Sequence, residues 1–457
     1  MSNTRFGVAL LGCGTVGGGV YELLNGQIKD IESKYGFQFD VRRILVRDPK
    51  KTRNGLKLGA GLLTTNFDDI LHDSNVDVVV EVMGGETPTK EYLFEALRSG
   101  RHVITANKAL MGAHGERLVE KARQHNRFFG FSASVTGFHQ FVPSIVKSIM
   151  ITELVGIFNG TTNFILTKLA QKSFDEVLQE AITLGYAEAD HHNDTEGLDT
   201  RNKLIVASKL AFGVFLNYKD ILVSGITGIT KEDVGYAKEL GYAIKLLGIS
   251  RIVEDDKLTA FVGPALVPQT DPLARIEGVD NSIWVHDKFR GVQGMSAAGA
   301  GKDATAMAIF SDLVSVGRGE KTLWPDAALS HRNLKFTRNQ LPASFYVRVD
   351  VRNQPGVLAN ISKHFARNKI NITDVIQRSK VESPITAVVT SIVFMLGPTK
   401  QKSVQKVLDE LGETTTLAGK PVMLRIEQSV QADATIAHSW EESAKSVRVA
   451  PLQPQTM

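Results

Sequence analysis

The run Gly12-Cys13-Gly14-Thr15-Val16-Gly17 limits the fold of this chain more than any other feature, because it follows the apolar segment 6–11 and opens a helical stretch reaching about residue 34. In such a turn Gly12 permits a tight reversal, Gly14 lets backbone approach a pyrophosphate, and Gly17 allows the helix to pack closely on the strand. Thr15 and Val16 sit at the helix N-terminus, where free N–H groups and the positive dipole end favour an anion. Further β-branched runs at 39–46, 76–82, 102–105 and 128–132 alternate with helical stretches, which predicts βαβ units and a parallel sheet. Runs 9–11 and 76–82 are apolar almost throughout, as expected of strands covered on both faces. The fold class is therefore α/β, led by a Rossmann nucleotide-binding domain over 1–133.

One such unit does not account for 457 residues, a length that at about 150 per domain predicts about three domains. Residues 134–303 mix strands with longer helices at 174–184, 200–211 and 234–247, the mark of an α+β domain. A further helix over 304–318 returns to the first domain, and a basic, Gly- and Pro-punctuated stretch, 319–343, reads as a linker. Residues 344–427 then run strand, helix, strand, strand, helix, strand, the βαββαβ order of a ferredoxin-like unit. The remainder, 428–457, is rich in Ala, Gln, Ser and Pro and is expected to be disordered.

Composition excludes several classes. Hydrophobic residues at 43% and charged residues at 22% are globular values. The formal charge of +4 is too diffuse to predict a nucleic-acid partner. No apolar run approaches the roughly 18 residues of a membrane span. The segment 6–11 before Cys13 resembles a lipoprotein signal only superficially, since it falls short of the roughly 7–15 apolar residues of a signal core. With Cys13 the only cysteine, disulfides and multi-cysteine zinc sites are excluded, and a cytoplasmic location is expected.

Three further groups carry chemistry. Arg47 follows Val46 at the end of the second strand, where an enzyme using NAD usually places an acid. An arginine there suits a 2′-phosphate, with Arg53 and Lys57 assisting, so NADP is expected and NAD is the alternative. A solvated basic turn is the bland reading. Thr105-Ala106-Asn107-Lys108 and Gly84-Gly85-Glu86-Thr87-Pro88 both end strands, where ligands of open parallel sheets bind. Asp199 and Lys203 are spaced to share one helix face, and their bland reading is an exposed ion pair. Asp190-His191-His192-Asn193-Asp194 has metal-like residues but no second ligand set, and reads as a loop.

Taken in order, GCGTVG at 12–17, VRD at 46–48, EVMGG at 81–85, TANK at 105–108, NGTTNFIL at 159–166, GYAEAD at 185–190, EGLD at 196–199 with Lys203, and AGAG at 298–301 resemble the homoserine dehydrogenases, nearly through residue 426. The unit at 344–427 resembles an ACT domain, with Pro355-Gly356-Val357-Leu358 at its first turn and Asn371-Ile372 before its second strand. The resemblance implies reversible NAD(P)-dependent interconversion of L-homoserine and L-aspartate 4-semialdehyde, in threonine, methionine and isoleucine biosynthesis. It implies that Lys203 and Lys108 serve the reacting oxygen, that Asp199 orients Lys203, that Glu188 holds the substrate ammonium, and that Thr161 and Tyr186 frame its polar end. Gly84, Thr105, Lys108 and Gly301 join Gly12, Gly14, Thr15, Val16, Gly17, Arg47 and Lys57 as cofactor residues. A substrate-binding and dimerisation role for the α+β domain 134–303, a regulatory ACT domain, commonly sensing threonine, and a homo-oligomer (dimer or tetramer) are also implied, without nucleic-acid or membrane partners.

The chain departs from that family at one loop. Where a Glu-Ala-Ser/Thr-Val segment and a short glycine-rich turn are usual, it has Ser132-Ala133-Ser134-Val135 and then a longer stretch to Pro143. In the family this loop lends backbone carbonyls, here those of Ser132 and Val135, to a monovalent cation such as sodium. His191 and Ala304 stand where prolines are usual. The alternatives are a catalytically weak nucleotide- and amino-acid-binding sensor, and a dehydrogenase for another amino-acid aldehyde with a pocket reshaped by Phe138 and Phe141.

Overall fold

The computed structural model describes residues 4–428 apart from 54, 136–140, 147, 149, 188–189, 215, 255, 300, 323–333, 339–341, 379–388 and 415. The expected tail beyond 428, much of the expected linker, Glu188 and Phe138 lie outside the described residues.

The N-terminal third forms a six-stranded sheet from β1 (Thr4–Leu11), β2 (Phe37–Leu45), β3 (Leu63–Thr64), β4 (Val78–Glu81), β5 (His102–Thr105) and β6 (Phe129–Gly130). Its order is β3-β2-β1-β4-β5-β6, and every pairing is parallel. The continuous apolar strands have the expected cause. Val8, Leu10, Val78 and Val80 point into one core, while Ala9, Leu11, Val79 and Val103 point into another. Ala306, Ile309 and Leu313 of the helix Lys302–Gly317 fill the first of these, so a helix that follows the middle of the chain covers the nucleotide-binding sheet.

The expected first helix is divided. Thr15–Gly26 is followed at Gln27 by a separate helix, Ile28–Tyr35, which ends at Gly36 with φ +78°. Gly26 is a poor helix interior residue, and only Ile31 of the second segment is buried.

A second, eleven-stranded sheet contains β7 (Ile151–Ile157), β8 (Leu222–Val223), β9 (Tyr242–Glu254), β10 (Lys257–Pro268), β11 (Asp280–Asp287), β12 (Gly291–Ala298), β13 (Lys335–Phe336), β14 (Ala343–Arg352), β15 (Ile372–Gln377), β16 (Val389–Thr399) and β17 (Val422–Ile426). The helix expected over 234–247 is corrected here: Lys231–Glu239 is helical, but Gly241 takes φ +83° and β9 begins at Tyr242. The apolar spacing of this segment fits either period. Pairing with β7 on one side and β10 on the other decides for strand, an outcome that local propensity does not reveal.

The C-terminal βαββαβ unit forms as expected, with helices Val357–Arg367 and Gln401–Gly412 on one face of its strands. It shares a sheet with the middle of the chain. β17 pairs in parallel with β10 through Ala265↔Arg425 and Leu266↔Ile426. Beside this seam Asp233 receives Arg348 Nε at 2.7 Å and Tyr346 Oη at 2.8 Å, all three side chains being buried. Arg251 pairs with Glu153 on β7 and with Glu427 at 3.2 Å, just past β17.

Candidate active site and cofactor cleft

Two elements bring the site together. The first is the C-terminal edge of the parallel sheet. Glu81 ends β4 with its carboxylate buried, accepting the N–H groups of Met83 at 2.9 Å and Gly84 at 2.8 Å and the Thr105 hydroxyl at 2.5 Å. Gly84 and Gly85 both have positive φ, +70° and +74°, a turn for which glycine is required. Asn107 caps the helix Lys108–Gln124 by accepting Leu110 N–H at 3.0 Å, while its Nδ2 donates to the Gly85 carbonyl at 2.6 Å. These bonds tie the two strand-end motifs into one ledge and set Lys108 at the first position of the helix. Burial pushes the Glu81 carboxyl up, opposed by its donors from Thr105, Gly84 and Met83.

The second element is the helix Leu198–Phe212, which presents Asp199 and Lys203 on one face. Asp199 and Lys203 are 4% and 6% exposed, so the pair is buried rather than an exposed surface bridge. Lys203 Nζ lies 3.2 Å from Asp199 Oδ2 and donates to the Phe158 carbonyl at 2.6 Å. Lys108 reaches from the nucleotide-binding side to pair with Asp199 Oδ1, its own side chain 44% exposed. One carboxylate thus joins two lysines from two helices.

Around this triad stand three side chains, Asn159, Asp194 and Asn281, to which the sequence alone assigned no role in the site. Asn159 Nδ2 donates to Asp194 at 2.7 Å and to Asp199 at 2.9 Å, and its Oδ1 caps the helix Gly160–Lys168 through Thr162 N–H at 2.8 Å. Asn281 Nδ2 donates to the Phe158 carbonyl at 3.0 Å. Asp194 comes from the metal-like run, yet no group of three His, Cys, Asp or Glu suited to a metal occurs among the described residues. The segments holding Asn159, Asp194 and Asn281 are far apart in the chain, so no spacing rule finds them together. Although burial raises the Asp199 carboxyl, Lys203 and Lys108 outweigh it and hold the group well below the usual carboxylate range. Burial lowers the proton affinity of Lys203, with Asp199 opposing. Burial first, and then Asp199, pushes Asp194 up.

Thr161 donates to the Tyr186 carbonyl at 2.5 Å, linking the two segments expected to frame the substrate. Ser132 and Val135 lie in a buried one-turn 3₁₀ helix. Ser132 N–H and Oγ donate to Asp312 at 2.9 and 2.6 Å. Burial pushes Asp312 up to about 7, so a glutamate at 132 would set a second carboxyl against it. Ser132 therefore suits the residue that the returning helix places opposite.

Next to the ledge opens a cleft of about 1110 Å³ lined by the glycine turn, Arg47, Lys51, Arg53, Gly84, Gly85 and Lys302, among others. Gly12 has φ +109°, which disfavours a side chain, and a Cβ there would sit 3.1 Å from the Val82 carbonyl, while a Cβ on Gly17 would fall 2.3 Å from the Gly12 carbonyl. The residues fit a dinucleotide: a bare N-terminal turn for the pyrophosphate and cations at the β2 end. Asp48 also lines the cleft, but its Oδ1 accepts Lys50 N–H at 2.8 Å within its own loop. Lys51 lines the cleft and Lys57 is not among its lining residues; the Lys57 carbonyl accepts the Tyr21 hydroxyl at 3.2 Å. Gly17 and Thr105 are buried and Val16 is half-buried, and none of the three is among the lining residues. Burial pushes the Cys13 thiol up, so it is not an activated thiolate.

A Rossmann sheet with a phosphate turn, a lysine–aspartate–lysine centre and an appended ACT-type unit define an NAD(P)-dependent oxidoreductase with a regulatory domain. The chain matches "Homoserine dehydrogenase, NAD binding domain" over residues 12–131, "Homoserine dehydrogenase" over 140–314 and "ACT domain" over 345–413. It is 35% identical to the homoserine dehydrogenase of Bacillus subtilis over 382 residues, covering 81% of this chain and 87% of that one. With the Pseudomonas aeruginosa enzyme the identity is 34% over 439 residues, 92% and 98% of the two chains. The crystal structure of a homoserine dehydrogenase from Thiobacillus denitrificans superposes with a TM-score of 0.84 at 33% identity, covering 93% of this chain and 99% of that one. The chain belongs to the homoserine dehydrogenase family, and its activity is that of an NAD(P)-dependent homoserine dehydrogenase.

Proposed function

We propose that this enzyme interconverts L-homoserine and L-aspartate 4-semialdehyde with NADP, and that Lys203 carries the proton. The observation behind this reading is the burial of Lys203 between Asp199 and the Phe158 carbonyl. A buried ammonium with lowered proton affinity is a stronger acid toward an aldehyde oxygen, and in the oxidation direction it is neutral, and so able to accept a proton, at a lower pH than an ordinary lysine. The nicotinamide supplies or accepts the hydride. Asp199 keeps both lysines aimed at one point, and Lys108, nearer the cofactor cleft, adds positive charge where oxygen charge develops. Glu188 is retained as the partner of the substrate ammonium, with Thr161 and Tyr186 framing that end. Oxidation of L-homoserine followed by nicotinamide absorbance tests the reading. Turnover with another amino-acid alcohol but not with L-homoserine would reject the substrate assignment.

Preference for NADP is supported by Arg47, Lys51 and Arg53 in the cleft and by the engagement of Asp48 within its own loop. Gly301, with φ +127°, directly precedes Lys302, which lines the cleft, and is the proposed cofactor contact on that side. Backbone carbonyls of Ser132 and Val135 are the proposed ligands of a monovalent cation, since hard ions take oxygen donors. Sodium titration of the salt-depleted enzyme tests this: unchanged activity would reject it. Threonine is the proposed effector, bound near Pro355, Gly356, Val357, Leu358, Asn371 and Ile372. Gly356 holds φ +87° at the start of its helix, and Leu358 is 39% exposed. A cytoplasmic homo-oligomer in threonine, methionine and isoleucine biosynthesis completes the proposal, and sedimentation of the full chain tests the assembly.

A further inference from the structure

Asn281 is the second residue of β11 and is 1% exposed. Its Nδ2 donates to the same Phe158 carbonyl that receives Lys203 Nζ. Its far side rests on Gly299, where a Cβ would come within 2.1–2.2 Å of the amide atoms. Asn281 Oδ1 is buried and has no hydrogen-bond partner among the described residues. A buried amide with an unmet acceptor is a destabilising choice for a strand interior, where an aliphatic side chain of similar volume would do better. The hydrogen bond described for the amide goes to the anchor of the buried lysine.

We propose that Asn281 is a positioning residue for Lys203, acting through the Phe158 carbonyl that both side chains share. This rests on Lys203 being the proton carrier. A carbonyl oxygen has two lone pairs. With one committed to Asn281, the direction open to Lys203 is defined, and the oxygen holds the ammonium less tightly than it would alone. Gly299 belongs to the turn ahead of the helix Lys302–Gly317, which covers the nucleotide-binding sheet. The lysine anchor is thereby braced against the cofactor side of the molecule. Among the described residues the charged groups facing Lys203 are Asp199 on its own helix, Lys108 on Lys108–Gln124 and Asp194 on His192–Thr195. All three remain when Asn281 is replaced.

The test uses the full chain with Asn281→Leu, which fills the space without a donor. A small misplacement of Lys203, the base in this direction, lowers kcat for L-homoserine oxidation by about 10- to 100-fold, while KM and NADP affinity change by less than about twofold. Loss of the competing donor leaves Lys203 more firmly protonated, so the acidic limb of the kcat profile moves up by about half to one pH unit. Gly299→Ala keeps the amide but pushes it from its seat, and shows the same signature; it decides the matter if Asn281→Leu does not fold. An unmoved limb in the folded variants, with or without a fall in kcat, overturns the proposal by reducing Asn281 to a strand residue. Lys203→Ala is measured alongside. If it is inactive and both other variants behave as wild type, this proposal alone fails; if it turns over normally, the Lys203 assignment and this proposal fall together.

Discussion

Asp199 illustrates how one residue changes meaning with burial. Four positions ahead of a lysine on an exposed helix, it would contribute little. At 3% side-chain exposure, with Lys203 and Lys108 on its two oxygens, it becomes the centre of the site. Asp199→Asn removes the carboxylate that pairs with both lysines and is expected to lower kcat at least 100-fold with little change in NADP affinity, as read by steady-state kinetics and fluorescence titration. Arg47→Asp is expected to weaken NADP more than NAD, and equal losses would remove Arg47 from the 2′-phosphate. Lys245 offers a separate test. Its Nζ lies 3.2 Å from Asn163 Oδ1 and also donates to the Ile276 carbonyl, and burial lowers its pKa to about 8, with Glu277 opposing. Because the unfolded chain holds this proton up to its ordinary value near 10.5, the unfolded state binds more protons between the two values. Stability carried by this group therefore rises as pH increases through that window. Relative to Lys245→Met, the wild type is expected to gain up to about 3 kcal/mol between pH 8 and 10.5 in urea titrations.

At the scale of elements, the glycine turn and the apolar strands of the nucleotide-binding sheet were legible because each has a local cause. A positive φ, a close approach and burial on two faces all leave marks in neighbouring residues. β9 was not legible, since the segment from Val234 to Leu247 carries apolar residues at spacings open to helix and strand alike, and its long-range partners decide. The same limit applies to the site. Asp199, Lys203 and Lys108 could be named from spacing and resemblance, whereas Asn159, Asp194 and Asn281 acquire meaning only when distant segments meet. The helix Lys231–Glu239 shows what such meeting does for stability. Asp233 caps Thr230 through N–H and hydroxyl bonds of 2.9 and 2.8 Å, and also receives Arg348 and Tyr346. Asp233→Ala takes from the buried Arg348 guanidinium one of its two carboxylate partners, leaving Asp350, and is expected to destabilise the protein by about 3 kcal/mol, measured by urea unfolding. Arg348→Ala is expected to be nearly as severe, and the double variant less than additive.

At the scale of the whole molecule, the ACT-type unit and the middle of the chain share one sheet through β10 and β17. Deleting residues from 344 onward would strip β17 from β10, leave a sheet edge open and part Arg251 from Glu427. Such a truncated chain is expected to aggregate or to melt well below the full chain, as light scattering and calorimetry would show. Loss of the proposed threonine inhibition in it would thus say little, and a point change at Leu358 in the full chain is the better probe. Leu358→Asp is expected to abolish inhibition while leaving uninhibited kcat within about twofold; retained inhibition would move the effector elsewhere. The shared sheet also gives events at the ACT-type unit a physical route toward β11 and the Phe158 carbonyl, through strands already hydrogen-bonded to one another.

The central claim, that a buried lysine held by Asp199 transfers the proton, is tested most directly by Lys203→Ala in the full chain, with NADP binding and turnover of L-homoserine measured on the same preparation. The predicted result is unchanged cofactor affinity with kcat lowered by about 10² to 10⁴. Turnover at the wild-type rate, with the cofactor still bound, would contradict it.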